Sequence, residues 1–405
     1  MKKLLISICV FSAISFATIA QDYWQQKDSV NGSGKAVCGF FVLQNEGYIV
    51  GGLDEYSFKR KMYSYNPGQN DWDNELSIGG LNGDGLDRGS ASTFSIGPKG
   101  YLCLGQGQTN PYFKDTWEYD SETGAWSQKA DFIGTARRQA FQFAVDGFAY
   151  VGGGQDATGL KKDFYKYDPT TNIWTQLNDF AGTARRQATS FAMGAEGYVG
   201  TGDDGVLKND FWMYVPSSDS WIQKANFPGT PRAGAVSWGI FPTGYIATGE
   251  DNTFSYKKDV WEYNYFANVW VQRTDLAGPA RKNAVAFVID GIAYLGTGYN
   301  GTFLDDFYAY NGIVGLDENT QTFTSNCFPN PSVNEVFISG NLANLSQSSV
   351  QVFSTTGALV TDQIVVSTSG TSLKLSIDKL APGNYIYKLK SSDQTSTSSG
   401  KIIKL

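Results

Sequence analysis

The chain has 405 residues, with 46 glycines, 15% aromatic residues and no histidine. This length exceeds one ordinary compact core, and the many glycines and aromatic residues favour short strands joined by tight turns. Without histidine, Ser-His-Asp and Cys-His catalysis and histidine-ligated zinc or copper are excluded. The formal net charge of −7 argues against nucleic acid or an anionic membrane as the main partner.

Residues 1–20 predict a secretory signal peptide. Two lysines precede an apolar run that ends near Ile19, and small residues stand before Gln21. No later stretch is long and apolar enough to cross a bilayer, so we expect no transmembrane segment in the mature chain. Cys9 would leave with the signal peptide, and the remaining cysteines are expected to be free thiols. They are Cys38, Cys103 and Cys327.

A sequence unit recurs six times through the larger part of the chain. In each unit a basic residue is followed seventeen positions later by a glycine and then, after a variable loop, by a tyrosine. The basic residues are Lys35, Arg88, Arg137, Arg185, Arg232 and Arg281, and the glycines are Gly52, Gly105, Gly154, Gly202, Gly249 and Gly298. In five units a tryptophan stands seven positions after the tyrosine, at Trp72, Trp126, Trp174, Trp221 and Trp270. Their spacing is typical of propeller blades rather than of helical or leucine-rich repeats.

The sixth unit has Tyr310 but no tryptophan after it. The missing partner is found near the N-terminus, where Trp24 begins a segment similar to the segments that begin at Trp126 and Trp221. We therefore predict that an N-terminal strand carrying Trp24 completes the sixth unit and closes a ring. All six tryptophans are expected to be structural, because one unit cannot bury its aromatic faces alone.

The third unit shows the strands that the pattern predicts. Residues 139–145 and 148–153 predict two strands joined by the Asp146-Gly147 turn, whose residues suit a positive φ. A polar loop leads to a third strand near residues 163–168, and a fourth strand carries Trp174. Each unit is thus predicted to be a four-stranded antiparallel meander.

The repeated unit resembles the kelch repeat. In both, an apolar strand is followed in order by a glycine pair such as Gly152-Gly153, a loop, a tyrosine and a tryptophan. The resemblance covers about residues 22–312 and implies a six-bladed β-propeller. The predicted fold class is therefore all-β, with a six-bladed kelch-type β-propeller over residues 21–313 closed by an N-terminal strand. Some secreted kelch propellers resemble galactose oxidase, but those enzymes need histidine ligands to copper, which this chain lacks.

The composition changes after residue 313. Residues 314–326 predict a linker, and residues 327–405 carry the strand patterns of a small β-sandwich. Five short motifs occur there in order, from Cys-Phe-Pro-Asn-Pro at residues 327–331 to the terminal Lys-Ile-Ile-Lys-Leu. Together they resemble the type A sorting domain of the Bacteroidetes type IX secretion system. The resemblance implies export, with the secretion machinery as a partner and a secreted or cell-surface location.

An aspartate stands four positions before the tyrosine in five of the six units. These aspartates are Asp115, Asp163, Asp210, Asp259 and Asp306. We expect them on the same rim as the repeated arginines and interpret the two sets as internal ion pairs, with the alternative that some arginines also hold an anionic ligand. The first unit has Lys61 at the aspartate position and Lys35 at the arginine position, as a structural pair would predict.

Unequal polar loops follow the second strand of each unit. In a four-stranded meander they share a rim with the start of each first strand, so a ligand is expected at this loop-rich face. The candidate ligand-binding residues are Arg88, Arg137, Arg138, Arg185, Arg186, Arg232, Arg281, Asp203, Glu250 and Asp251. The acidic loops lack the spaced pattern of a calcium loop, so we predict no metal ligand and no cofactor.

Two classes of function are open at this point. Because no catalytic residue is identified, the first hypothesis is a secreted or cell-surface propeller that binds glycan or protein at the loop-rich face. The alternative is a sugar-acid mutarotase or epimerase, similar to the bacterial kelch enzyme that acts on N-acetylneuraminate. In that enzyme class an arginine would hold the sugar carboxylate, and Glu250 or Asp203 would shuttle protons.

Overall fold

A computed structural model of the protein describes residues 22–80, 86–311, 321–322, 325–340, 349–354, 359–361, 364–369, 372–390 and 396–405. The predicted signal peptide and most of the predicted linker lie outside these residues. Strands dominate the described segments, where the helical element is the short 3-10 turn Pro216–Ser218. The domain boundaries at residues 313 and 327 stay predictions.

Six four-stranded antiparallel sheets, the blades, follow one another along the described residues up to 311. Blade 1 contains Gly39–Leu43, Glu46–Val50, Met62–Asn66 and Asp71–Glu75; blade 2 contains Ser92–Ile96, Lys99–Cys103, Thr116–Asp120 and Ala125–Lys129; blade 3 contains Phe141–Val145, Phe148–Gly152, Phe164–Asp168 and Ile173–Leu177. Blade 4 contains Thr189–Met193, Glu196–Gly200, Phe211–Val215 and Ser220–Gln223; blade 5 contains Val236–Ile240, Thr243–Ala247, Val260–Asn264 and Val269–Arg273; blade 6 contains Val285–Ile289, Ile292–Gly296, Phe307–Asn311 and the N-terminal Tyr23–Lys27. Short ribbons in the loops pair Gln155–Asp156 with Gly159–Leu160, and Arg232–Ala233 with Glu250–Asp251.

The N-terminal strand closes the ring as the sequence predicts. Tyr23–Lys27 pairs antiparallel with Phe307–Asn311, which places Trp24 opposite Tyr310. The rings of these two residues lie 4.8 Å apart, and the Trp24 indole also meets Trp238 of blade 5 edge-on at 6.4 Å. The all-β propeller fold and its closure by Trp24 are therefore confirmed.

In five of the six blades the tryptophan indole also donates a hydrogen bond to a backbone oxygen just after the preceding blade, whereas the Trp221 indole of blade 4 has no acceptor among the described residues. In blade 3 the Trp174 indole Nε1 donates to the backbone oxygen of Ala130, just after blade 2, at 3.2 Å. The Ala130 backbone N–H donates to Asn172 Oδ1 at 2.9 Å, and the Tyr167 hydroxyl donates to the same oxygen at 2.8 Å. Tyr167, Trp174 and Asn172 therefore form an interblade clamp in blade 3. Blade 2 has Gly124 at the Asn172 position and lacks this third side chain.

Asp22 completes this clamp at the point of closure. It stands two positions before Trp24, accepts the Tyr310 hydroxyl proton at 2.6 Å and accepts the Thr274 backbone N–H at 2.8 Å. The Trp24 indole donates to the Thr274 backbone oxygen at 3.1 Å. Burial raises the pKa of Asp22, but the hydrogen bonds from Tyr310 and Thr274 lower it more, so the carboxylate stays ionised.

The C-terminal residues form a second, smaller unit with two four-stranded sheets. One sheet contains Gln321–Thr322, Ser349–Ser354, Gly383–Lys390 and Ser396–Lys404; the other contains Ser325–Phe328, Glu335–Gly340, Val365–Ser369 and Ser372–Ser376. Their facing sides share a buried apolar core that includes Val336, Leu375 and Tyr387. The β-sandwich that the sequence predicts is confirmed.

Candidate functional site

The repeated glycines connect successive blades around the rim that carries the long loops. Gly154 donates its backbone N–H to the backbone oxygen of Arg185, the basic residue of the next blade, at 2.8 Å. Its φ of +87° and the 2.7 Å that would separate a Cβ from the Arg138 oxygen both exclude a side chain. All six units make this bond, at 2.7 to 2.9 Å, and the last runs from Gly298 to Lys35. The repeated basic residue and glycine are therefore partners across each blade junction.

The repeated arginines are buried and use their donors within the protein. Arg185 is 1% exposed, and its guanidinium forms a two-pronged ion pair with Asp210, with Nη2 2.7 Å from Oδ2. Its remaining N–H groups donate to the backbone oxygens of Thr183 and Thr201. The same pairing recurs as Arg88–Asp115, Arg137–Asp163, Arg232–Asp259 and Arg281–Asp306. The guanidinium groups of these five arginines therefore act as ion-pair partners within the propeller.

Blade 1 has a different arrangement at the equivalent positions. The Lys35 ammonium donates to the backbone oxygen of Asn31 at 2.8 Å and lies 4.6 Å from the centre of the Tyr63 ring. Burial lowers the pKa of Lys35, and nearby carboxylates only partly oppose this effect. Lys61 stands exposed where the other units have an aspartate. Both members of the pair are thus exchanged together, as expected for a structural pair.

The stability of the propeller is expected to change little between about pH 5 and pH 9, because the chain has no histidine. Burial raises the pKa of Asp163, Asp210 and Asp259, but the arginine hydrogen bonds lower it further, to below its ordinary value of 3.8. The carboxylates therefore stabilise the fold above pH 4 and lose this effect as pH falls through their lowered pKa. Burial raises the pKa of Tyr150 to about 12, so this buried phenol costs stability as pH rises above about 10. Thermal unfolding midpoints measured from pH 2 to pH 11 would check this; a transition centred near pH 6.5 would contradict it.

A ring of six backbone hydrogen bonds lies at the axis of the propeller. In each blade the residue two positions after the basic residue donates its N–H to the matching oxygen of the preceding blade, at 2.8 to 3.3 Å. These residues, which we call the floor ring, are Val37, Ser90, Gln139, Gln187, Gly234 and Asn283. All six have positive φ, between 52° and 64°. They line a cavity of about 130 Å³ together with the start of the innermost strands.

The residues just before the floor ring form its upper border, which we call the mouth. Each pairs through a backbone bridge with the residue that follows the repeated glycine. The pairs are Ala36 with Leu53, Gly89 with Gln106, Arg138 with Gln155, Arg186 with Asp203, Ala233 with Glu250, and Lys282 with Tyr299. The start of each first strand and the following long loop thus meet on one rim, as the meander predicts.

Two of the three cations at the mouth have carboxylate partners. Arg186 donates to Asp203 Oδ2 through Nε and Nη2, at 3.1 and 3.0 Å. The Lys282 ammonium lies 2.6 Å from Glu250 Oε2. Asp203 and Glu250, both sequence candidates, therefore lie at the mouth, and each is neutralised by a cation of the same rim.

Arg138 is the third cation of the mouth, and its acceptors are neutral amides. Nη1 donates to Gln106 Oε1, whereas Nη2 lies 3.5 Å from Gln155 Oε1, which already accepts a shorter bond from Arg186 at 2.7 Å. Nε has no acceptor among the described residues, and the guanidinium lies 5.6 Å from the centre of the Tyr112 ring. Within the described part of the chain, no carboxylate forms an ion pair with Arg138.

Aromatic side chains surround the charged groups of the mouth. Tyr256 and Tyr299 meet edge-on at 6.2 Å, and the Lys282 ammonium lies 5.7 Å from the centre of the Tyr256 ring. Tyr56 and Phe254 are exposed at the tips of the blade 1 and blade 5 loops. The loop-rich face therefore offers aromatic rings, amides and a cation to a ligand.

Asp251, the remaining acidic candidate, organises its own loop. Its Oδ1 accepts the backbone N–H groups of Thr253 and Ser255 at 2.9 and 3.1 Å. The Lys257 ammonium and the Thr253 hydroxyl hold the pKa of Asp251 well below its usual range. Asp54 and Asp156 accept backbone N–H groups in the same way in blades 1 and 3. These carboxylates shape loops rather than line the mouth.

Comparisons with known proteins agree with this architecture. Residues 40–238 match the model of the KLHDC2/KLHL20/DRC7 kelch-repeats domain, and residues 326–404 match that of the secretion system C-terminal sorting domain. The chain is a kelch-repeat protein with a type IX sorting domain. The solved structure described as "Structure of YjhT" is similar to this kelch protein, with a TM-score of 0.58 and 15% identity over 70% of this chain and 96% of that chain. The chain has no significant match among curated proteins.

The sorting domain of this kelch protein indicates export through the type IX secretion system to a secreted or cell-surface location. Among the described residues, no helix has the length and apolar character needed to cross a membrane. Those residues also contain no group of three or more acidic or cysteine side chains placed to hold a metal ion.

Several residues of the mouth were not predicted as ligand-binding residues from the sequence. Lys282 follows Arg281 as Arg138 follows Arg137, so its place at the mouth could have been predicted from the repeat. Gln106 and Gln155 directly follow the repeated glycines and share the position of Asp203 and Glu250. Tyr112 lies in a loop whose length differs from those of its neighbours, and no repeated position indicates it.

Proposed function

We propose that this protein is a secreted or cell-surface binding module whose kelch domain holds an anionic glycan at the mouth. The observation that carries the proposal is Arg138, a cation among neutral amides where its two counterparts are neutralised by carboxylates. A sugar carboxylate or sulfate would supply the missing charge through paired N–H donors.

The surroundings of Arg138 favour a glycan over a single small anion. Tyr112 lies beside the guanidinium, and an aromatic ring at this place can cover the apolar face of a sugar. Gln106 and Gln155 provide amide donors and acceptors for sugar hydroxyls. All of these groups lie on the loop-rich face, so a ligand would approach from that side.

The pairing of the mouth carboxylates favours binding over the sugar-acid mutarotase or epimerase hypothesis. A general base must be free to accept a proton from the substrate. Glu250 is bound to Lys282 and Asp203 to Arg186, so neither carboxylate is available without breaking an ion pair. The protein alternative remains an outcome of the test below, because an acidic peptide carries the same carboxylate.

Replacing Arg138 with glutamine should weaken sugar-acid binding by about 10-fold to 100-fold, because a hydrogen bond to a charged group contributes about 1.5–3 kcal/mol. Titration of the mature protein with glucuronate-containing oligosaccharides, measured by calorimetry, would show this loss. Lys162→Gln, which removes a charge from the same blade away from the mouth, should leave the affinity unchanged.

Three other outcomes would contradict the glycan proposal. The uncharged glucose counterparts would bind as tightly as the acids, or Arg138→Gln and Lys162→Gln would behave alike. Alternatively, an acidic peptide would bind in an Arg138-dependent manner when no sugar acid does. Time-dependent interconversion of sugar anomers, followed by NMR, would instead favour the enzyme hypothesis.

A further inference from the structure

Blade 5 departs from the other blades at the rim opposite the mouth. The turn between its first two strands carries Phe241, and the turn between its last two strands carries Tyr265 and Phe266. At the Phe241 position the other blades have Gln44, Gly97, Asp146, Gly194 and Asp290. At the positions of Tyr265 and Phe266 they have Pro67-Gly68, Ser121-Glu122, Pro169-Thr170 and Pro216-Ser217. Aromatic residues thus replace polar, glycine and proline turn residues at three positions of one blade.

These three residues form one cluster, which we call the aromatic patch. Ring centres lie 5.5 Å apart for Phe241 and Tyr265, 5.8 Å for Phe241 and Phe266, and 5.2 Å for Tyr265 and Phe266. Phe241 and Tyr265 pack partly against the apolar core between blades 4 and 5, and all three rings lie at the rim. Contiguous aromatic surface in such a place marks an interaction site. The turn between the last two strands does not need aromatic side chains, since the other blades fill it with proline, glycine, serine, threonine or glutamate. The first turn of blade 5 has its own geometry, because Phe241 lacks the positive φ that its counterparts have in the other five blades.

The β-sandwich covers the aromatic patch in this structure. The Phe353 ring, on strand Ser349–Ser354, lies 5.4 Å from the rings of both Phe241 and Phe266. The Lys388 ammonium, on the neighbouring strand Gly383–Lys390, lies 3.9 Å from the centre of the Phe266 ring. Phe353 is 4% exposed although it is not part of the apolar core shared by the two sheets of the sandwich. Its burial therefore comes from outside that core.

We propose that the aromatic patch is a docking site for the sorting domain of the same chain. Phe353 packs against both Phe241 and Phe266, and the Lys388 ammonium lies over the Phe266 ring. The sorting domain is thereby held at the rim opposite the mouth, and the precursor presents its ligand-binding face and its sorting domain on opposite sides. Separation of the two domains exposes the patch on the propeller.

Small-angle scattering of the chain without its signal peptide tests this docking. The triple variant Phe241→Gly, Tyr265→Ser, Phe266→Glu gives blade 5 the residues that blade 2 has at these three positions and removes the patch, while it keeps Pro242 and the backbone N–H of residue 265 that donates to it. We expect its radius of gyration to exceed that of the wild type, because the sorting domain is no longer held. Thr170→Asp, at the Phe266 position of blade 3, should leave the radius unchanged.

Cross-linking gives a second measurement that does not require removal of the whole patch. The pair Phe266→Cys with Lys388→Cys should be joined within one chain by a short bifunctional thiol reagent, because the two replaced side chains meet tip to ring, whereas Thr170→Cys with Lys388→Cys should not be joined. Equal scattering radii for the wild type and the triple variant, or equal cross-linking of both cysteine pairs, would overturn the proposal. A wild-type dimer that the triple variant does not form would assign the patch to a second copy of the chain and would also overturn it.

Discussion

Replacing Arg185 with alanine is expected to destabilise the propeller by about 3–5 kcal/mol, because the change leaves Asp210 without its cation in a largely buried site. The guanidinium also donates to the backbone oxygens of Thr183 and Thr201, which the variant leaves unpaired. Chemical unfolding followed by tryptophan fluorescence measures the effect, since all ten tryptophans precede the sorting domain.

The adjacent residue provides a matched control for this prediction. Arg186→Ala removes the same side chain one position later, where the ion pair with Asp203 is partly exposed and worth less than about 1 kcal/mol. Equal destabilisation by the two substitutions would contradict the structural role of the buried pair. Arg185→Ala with an unchanged midpoint would contradict it as well.

Replacing Trp24 with alanine is expected to cost about 3 kcal/mol, near the lower end for a large aromatic residue because Trp24 is partly buried. The variant loses the ring contact with Tyr310 within blade 6, and it loses the ring contact with Trp238 and the hydrogen bond to Thr274, which join blade 6 to blade 5. Urea unfolding with native-state hydrogen exchange of the N-terminal strand would reveal both the loss and its location.

Tyr23 serves as the control on the same strand. Its side chain is exposed, so Tyr23→Ala should change stability by less than about 0.5 kcal/mol. Asp22→Asn should also be tolerated, because asparagine occupies this position in blades 1, 3 and 5 and accepts the same hydroxyl proton. If Tyr23→Ala destabilised the protein as much as Trp24→Ala, closure would depend on strand pairing rather than on the tryptophan.

Contacts that use the same residue type in every blade could be predicted from the sequence. The arginine and aspartate positions recur together, and blade 1 exchanges both, so the pairing can be inferred from the repeat pattern alone. Trp24 could be assigned to blade 6 because its surroundings match those of Trp126. The role of Asp22 could have been inferred too, since Asn70, Asn172, Asp219 and Asn268 also stand two positions before their tryptophans.

Contacts made by the backbone, or by residues that differ between blades, could not be predicted from a repeated residue type in the sequence. The floor ring contains valine, serine, glutamine, glycine and asparagine, because its hydrogen bonds require a positive φ and no particular side chain. Arg138 is distinguished from Arg186 by the residue that follows the next repeated glycine, which is Gln155 in one case and Asp203 in the other. This difference between neighbouring loops leaves Arg138 without a carboxylate partner in the described part of the propeller.

The backbone hydrogen bonds of the floor ring support the mouth, and they do not depend on which side chains the ring residues carry. Val37, a β-branched residue, adopts φ of 52° there, so even an unfavourable side chain leaves the six hydrogen bonds formed. Side chains at Ser90, Gln139, Gln187 and Asn283 can therefore be exchanged while the backbone beneath a ligand stays in place. The ligand specificity of the propeller can therefore change through a substitution in one blade while the backbone of the ring keeps its conformation.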